Sequence, residues 1–370
     1  MRRTLLTLFI FLGLGTIYCN AQWEPRIPLP DNYIEAQDTV SLTIIGDVMM
    51  HSKQLEYDHS TFLENLFTLL QGSDFCAANM EFALGGMPYS GYPAFSAPDS
   101  YAYSVAQAGV NVFLTANNHI LDKGSKGLVR THEIYRSMTD SVAWTGSGGS
   151  KEEFEQQNPI FLFKKGIKLA LINFTYGTNV GKPMTFPRPM YMEKTEIAAA
   201  IDRAKQAKAD FIIALPHWGQ EYQLKHSPEQ ESWAKWLIDS GVDAIVGSHP
   251  HVVQDSTHID GKCVIYSVGN AVSNMSAINT RIELAVKLKF VITRWTREMK
   301  MLEPELIPLW CTLPGTLRNN YSTIIIKEWA TRRSEWLNPS DYDNMISSLK
   351  RVSTQTGTEI YSLLTEAACE

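Results

Sequence analysis

The sequence predicts an α/β fold of mixed strands and helices, and three observations carry that expectation. Short apolar runs of strand type alternate with amphipathic helical stretches through about residue 300, the order that builds a largely parallel sheet with helices on its faces. Five of those runs end in residues with a ligand atom: Asp47, Glu81, Asn118 with His119, His217, and His249 with His251. Finally, Ile160 to Phe163 and Ile167 to Phe174 flank the turn Lys164-Lys165-Gly166, which signals a hairpin.

Composition narrows the class further. A chain of 370 residues holds one large domain or two modest ones. With 44% hydrophobic and 19% charged residues it is ordinary for a globular protein, which argues against disorder. Its net charge of −6 and the lack of a long basic run speak against a nucleic-acid partner. Cys76, Cys263, Cys311 and Cys369 show no CxxC spacing, so a zinc knuckle or redox pair is excluded. Cys76 and Cys263 stand in apolar runs and are expected as buried thiols.

Residues 1–21 read as a secretory signal. Arg2 and Arg3 form a positive start, Leu5 to Ile17 an apolar stretch, and Cys19-Asn20-Ala21 a small-residue cleavage site. Cleavage after Ala21, lipidation at Cys19 and an uncleaved anchor are the three outcomes open at this point. Each places the protein outside the cytoplasm, in the periplasm or at the cell surface. Residues 22–39 are expected to form an irregular leader, and 40–300 the main domain.

In chain order, Val40 to Ile45 is the first expected strand, with Asp47 just past it and His51 four residues on. Apolar spacing predicts a helix over 61–71. Asp74 to Ala78 is the second strand and delivers Asn79 and Glu81. Gly85 to Pro98 is an aromatic loop, read as surface or as part of a substrate wall. A helix over 101–108, a strand over 110–115 and a helix over about 125–138 follow. Val142 to Thr145 is a short strand, and residues 146–150 a flexible glycine-rich loop.

The hairpin comes next, then a proline-containing loop over 176–189 and a helix over 194–208. Asp210 to Leu215 is a strand ending at His217. Ser227-Pro228-Glu229 opens a helix with good capping residues. Asp243 to Val246 is a strand running into His249-Pro250-His251, whose rings would share one face if the backbone were extended. Cys263 to Val268 and 281–293 complete the strands. Residues 301–370 are expected as a peripheral helical extension, with helices over 325–337 and 340–353.

Mixed Asp, Glu, Asn and His donors at one sheet edge suit a divalent transition metal, Zn, Mn or Fe. There are enough of them for one ion or for two ions about 3.5–4 Å apart, the arrangement used in phosphoryl hydrolysis.

Six motifs in order carry a resemblance. Gly46-Asp47-Val48-Met49, Asn79-Met80-Glu81, Ala116-Asn117-Asn118-His119 with Asp122 and Gly124, His217-Trp218-Gly219-Gln220-Glu221-Tyr222, Gly247-Ser248-His249-Pro250-His251 with Gln254, and Tyr266-Ser267-Val268-Gly269-Asn270 together resemble the CapA family of capsule and poly-γ-glutamate synthesis. The resemblance covers about residues 41–300. It implies a metallophosphoesterase-like sandwich of two mixed β-sheets flanked by helices. It also implies Asp47, Glu81, Asn118, His217, His249 and His251 as metal ligands, Glu81 in the bridging place, and His119 with Asp122 as the catalytic pair. Asn79, Asn117, Trp218, Glu221 and Asn270 are the substrate contacts expected from the same motifs. One departure stands out: Met49 lies where phosphoesterases of this type have a histidine, so one metal position is expected to be weakened or absent.

Three functions follow as expectations. The first is an exported metal-dependent hydrolase in surface-polymer biosynthesis, acting on an anionic polymer. The second is a non-enzymatic accessory or anchoring factor for polymer export, associated with a membrane-bound synthesis complex. The third is a metallophosphoesterase on an unrelated phosphoester.

Overall fold

The computed structural model describes residues 36–138 and 141–357. The expected signal segment, most of the leader, Cys19 and Cys369 lie outside the described residues.

The strands are β1 (Gln37–Val48), β2 (Phe75–Met80), β3 (Val112–Leu114), β4 (Ala143–Thr145), β5 (Ser147–Gly148), β6 (Ile160–Lys164), β7 (Ile167–Thr175) and β8 (Arg188–Pro189). They continue with β9 (Phe211–His217), β10 (Ala244–Val246), β11 (Ser256–Ile259), β12 (Lys262–Ile265), β13 (Ile282–Thr293), β14 (Met299–Met301), β15 (Glu305–Thr312) and β16 (Ser322–Ile325). The helices are α1 (Phe67–Gln71), α2 (Asp99–Ala108), α3 (Gly124–Arg136), α4 (Lys151–Gln157), α5 (Lys194–Gln206), α6 (Pro228–Asp239), α7 (Ile326–Trp329) and α8 (Pro339–Thr356).

Two mixed sheets result. One has the order β16-β15-β13-β1-β2-β3-β4, with β14 on β13; the other runs β11-β12-β10-β9-β7-β6. In the first, β1 to β4 are parallel and β13, β15 and β16 antiparallel. In the second, the four central strands are parallel and the outer two antiparallel.

Alternation along the strands divides the apolar residues into layers. Val40, Leu42 and Ile44 of β1 meet Ile167, Leu169 and Leu171 of β7 and Ile213 of β9 in the core between the sheets. Cys76, Ala78 and Met80 of β2 face the other way, onto Tyr101 and Val105 of α2 and Tyr135 of α3. Ala170 and Ile172 of β7 turn from the central core to Ile197 and Ile201 of α5 and Leu237 of α6. The architecture is therefore helices, sheet, sheet, helices, the mixed α/β fold expected. Cys76 and Cys263 are buried thiols.

Several local expectations need correction. Over 61–71 the chain forms two single turns, His59–Thr61 and Glu64–Leu66, before the short α1. The apolar spacing reflected burial of Phe62, Leu63, Leu66 and Leu70 rather than one continuous helix. The glycine-rich stretch at 146–150 is not a free loop: Ser147 and Gly148 are buried and pair with Pro189 and Arg188. The chain after 300 is helical only in part, because β15 and β16 extend the first sheet before α8 packs back onto it. Arg281 makes a two-pronged buried pair with Asp341 of α8, Nη2 donating to Oδ2 at 2.7 Å, and the guanidinium lies 4.6 Å from the Trp310 ring. Among the described residues no helix is long and apolar enough to cross a membrane.

Candidate metal centre

The carboxyl ends of the parallel strands of both sheets converge, and close backbone packing makes that convergence possible. The pairing of β1 with β2 shifts register between Ile45 and Asp47. A Cβ on Gly46 would stand 1.9 Å from Gly269 O, so a side chain there would push β1 off its neighbour. Gly247, past the end of β10, is equally confined: its Cβ would lie 2.2 Å from Tyr266 O and 2.4 Å from Trp218 Nε1. These two glycines let Asp47 and the His249-Pro250-His251 loop approach one another.

That loop is not extended. His249 and His251 have φ of 98° and 58°, in the left-handed half of the map that side chains other than glycine rarely occupy. Such conformations cost about 1–3 kcal/mol each and persist only where surrounding contacts fix them. Here Ser248 N–H donates to Pro216 O at 2.9 Å, His249 N–H to Asp47 Oδ2 at 3.3 Å, and Tyr222 N–H to Pro250 O at 2.9 Å. The two rings reach one site through this bend, with centroids 6.0 Å apart, and not through the two-residue repeat of a strand.

Asp47, Glu81, Asn118, His217, His249 and His251 all meet, and all are buried. Glu81 Oε1 is the centre. It stands 3.9 Å from His217 Nε2, 3.9 Å from His251 Nε2 and 4.0 Å from His119 Nε2, and it has no hydrogen-bond partner among the described residues. His249 Nδ1 is likewise buried without a partner. Three sets of side chains bring ligand atoms within 4.8 Å of one another: Glu81 with His217 and His249, Asp47 with Glu81 and His251, and Glu221 with His249 and His251. Asn118 Oδ1 joins the first set at 2.9 Å from His217 Nε2.

The electrostatics fit a cation. Burial, and then the neighbouring Asp47, push the Glu81 carboxyl well above the usual carboxylate range. Burial and the adjacent histidines hold His217 and His249 well below the ordinary imidazole value, in the neutral form that ligates metal. His251 moves the other way: burial opposes its charge, but the hydrogen bond and attraction of Asp47 prevail. Two carboxylates buried together with unpartnered donors are costly unless an ion satisfies them. Separations near 4 Å, too long for hydrogen bonds, match ligands about 2.0–2.2 Å from a shared ion. The donor set therefore fits a divalent metal.

Outer contacts orient these groups, as is usual around metal ligands. Asn79 Nδ2 donates to Asp47 Oδ1 at 2.7 Å and lies 3.2 Å from His217 Nδ1. Asn117 Nδ2 donates to Asn79 Oδ1 at 3.2 Å, and Asn270 Oδ1 stands 2.9 Å from His251 Nδ1. Trp218 is buried with its indole N–H given to Tyr266 O at 2.9 Å. Four of the five expected substrate contacts, Asn79, Asn117, Asn270 and Trp218, thus lie beneath the site and not on its open face. A sequence shows that a polar residue follows a strand but not whether it points up into the cleft or down into the support.

The open face is a cavity of about 310 Å³ walled by Asn118, His119, His251, Glu221, Met49 and His51, with Tyr92, Pro93, Asn179, Tyr222 and Met275 around them. Glu221 is the fifth expected contact and does face it. His119 Nδ1 lies 2.6 Å from Asp122 Oδ2, which also accepts the Phe95 N–H at 2.8 Å, so the imidazole is held with Nε2 toward Glu81. Tyr92 and Pro93 bring the aromatic loop to the wall, and Asn179 brings the loop after β7. The sequence offered the 85–98 loop as surface or substrate wall but could not say which of its residues, or Asn179, reach the site, because loops carry no periodicity that says where they fold. His51 stands on the wall but is held near 4 by burial and packs against Phe95. Among the described residues no lysine or arginine lines this cavity.

The profile of the bacterial capsule synthesis protein PGA_cap family matches residues 41–275. The chain belongs to this family. It is 30% identical over 286 residues to the capsule biosynthesis protein CapA of Bacillus anthracis, across 72% of this chain and 68% of that protein. It is 25% identical to the PGA biosynthesis protein CapA of Bacillus subtilis, across 70% of each. A putative 5′-nucleotidase from Staphylococcus aureus overlays 73% of this chain and 54% of its own at 12% identity, with a TM-score of 0.48, too low to carry an inference.

Proposed function

We propose that this chain is an exported hydrolase of surface-polymer assembly that cleaves an anionic polymer of the poly-γ-glutamate type at a metal-dependent site. The observation that carries the reading is Glu81 Oε1, ringed by three imidazole nitrogens at 3.9–4.0 Å without a hydrogen bond, beside an open cavity. Family membership and the names of the two Bacillus relatives support the polymer class.

Asp47, Glu81, Asn118, His217, His249 and His251 would hold one or two ions. A divalent ion there supplies Lewis acidity and lowers the pKa of water toward neutrality. The chain's own residues do the rest. Asp122 Oδ2, 2.6 Å from His119 Nδ1, fixes the ring with Nε2 toward the cavity, and the imidazolium gives its Nε2 proton to the leaving nitrogen or oxygen as water adds to the other side of the scissile bond. Asn118 Nδ2 donates to Asn179 Oδ1 at 3.4 Å and Asn179 Nδ2 lies 3.1 Å from His119 Nδ1, so the two amides steady this wall, and Tyr92 and Tyr222 wall the approach. Among the described residues no lysine or arginine lines the cavity, so in this reading the charge of an anionic substrate is met by the bound cation. Export through residues 1–21 and work beside a membrane-bound synthesis complex belong to the same reading.

The test is chain length. Metal-loaded protein incubated with poly-γ-glutamate should shorten it on size-exclusion chromatography, and a His119→Ala variant should not. Intact polymer with cleavage of simple phosphoesters would redirect the assignment to a phosphoesterase. Neither activity in metal-loaded protein would leave a non-enzymatic accessory role.

A further inference from the structure

We infer that Glu221 is itself a metal ligand, closing the centre from the cavity side, and not a substrate contact. The inference rests on the metal centre proposed above and adds a donor to it.

Glu221, His249 and His251 bring one ligand atom each within 4.8 Å of one another. His249 is 3% exposed and its Nδ1 has no hydrogen-bond partner among the described residues, so this set contains a buried donor still to be satisfied. Its two histidines also belong to the two deeper sets, His249 with Glu81 and His217, His251 with Glu81 and Asp47. Glu81 thus links the two deep sets from within, and Glu221 links the same two histidines from the cavity.

The chain builds this placement deliberately. Gly219, with φ of 90°, turns the backbone sharply after β9, and Tyr222, with φ of 65°, turns it again. Tyr222 N–H then donates to Pro250 O at 2.9 Å, which ties the segment carrying Glu221 to the residue between the two histidines. The carboxylate and the imidazoles are therefore held by one backbone clamp. A carboxylate also makes a poor anion contact. Facing a cavity that no described lysine or arginine lines, it would repel an anionic substrate unless a cation lay between them. As a ligand it lowers the net charge of the centre and adds an oxygen donor, which suits Mn(II).

The experiment is Mn(II) titration of the full chain, read by electron paramagnetic resonance of free ion and by elemental analysis after desalting. Glu221→Ala and Glu221→Gln are compared with wild type, and Tyr92→Ala serves as a cavity-wall control. The inference expects Mn(II) binding at least about tenfold weaker, or fewer equivalents retained, in both Glu221 variants, a loss that even outer-layer partners of metal ligands produce. Tyr92→Ala should match wild type. Unchanged affinity and stoichiometry in the Glu221 variants would overturn the inference while leaving the deeper centre standing. Wild-type protein that takes up no metal would overturn both together.

Discussion

Glu81 Oε1 and His251 Nε2 face each other at 3.9 Å, both side chains buried and no hydrogen bond between them. The gap is too wide for direct contact and suits an ion coordinated by both. Folding without the ion leaves Glu81 unsatisfied, so metal and stability are linked. Chelator should lower the melting temperature, and adding back Mn(II) or Zn(II) should restore it. At about one hundred times the dissociation constant the gain is about 2.7 kcal/mol. Differential scanning fluorimetry with and without chelator checks this, and coincident melts would contradict it.

His119 and Asp122 are predicted to act on chemistry and not on metal. His119→Ala should reduce turnover by about 10²–10⁴-fold, the usual contribution of a positioned acid. Asp122→Asn should also lower turnover by removing the charge that orients the ring. Both variants should keep wild-type metal content by elemental analysis.

The pair between Arg281 and Asp341 fastens α8 to the first sheet. Breaking a buried pair from one side leaves an uncompensated charge, at a cost of about 3–5 kcal/mol. Asp341→Ala should show that loss in urea unfolding. A double replacement by apolar residues of similar size should recover much of it.

Glu153 supplies a pH dependence away from the metal. The His132 imidazole 3.6 Å away, opposed by burial and aided by Gly149 N–H and Arg136, brings the carboxyl from 4.5 down to about 2. The ionised contacts contribute fully above about pH 4.5, the unfolded value, and fade as the pH falls toward 2. Glu153→Gln should therefore lower the urea midpoint at pH 7 and make little difference near pH 2. The effect is small, since the group is partly solvated.

The donors at the site were legible because each follows a buried run: an Asp, Glu or His just past an apolar strand has no packing explanation. Trp218, Asn79, Asn117 and Asn270 were expected as substrate contacts from the motifs, and the fold points them into the support instead. Glu221 was noticed as a substrate contact, yet only the fold brings it to His249 and His251. The sandwich was expected only through the motif resemblance, and which side chains of β1 and β7 face each layer became clear from the fold. The strands β15 and β16 were not legible, since Pro308 interrupts the first and the second has four residues, both poor strand signals. The bend at His249 and His251 was also invisible, because hydrogen bonds with Asp47, Pro216 and Tyr222, distant in the sequence, impose it.

The most direct measurement is metal content by elemental analysis of protein purified without chelator, beside a variant carrying His249→Ala and His251→Ala. The account predicts one or two equivalents of a transition metal in the wild type and loss of metal in the variant, with circular dichroism showing the fold retained. A folded variant with undiminished metal, or a wild type that stays empty after supplementation with Zn, Mn and Fe, would contradict it.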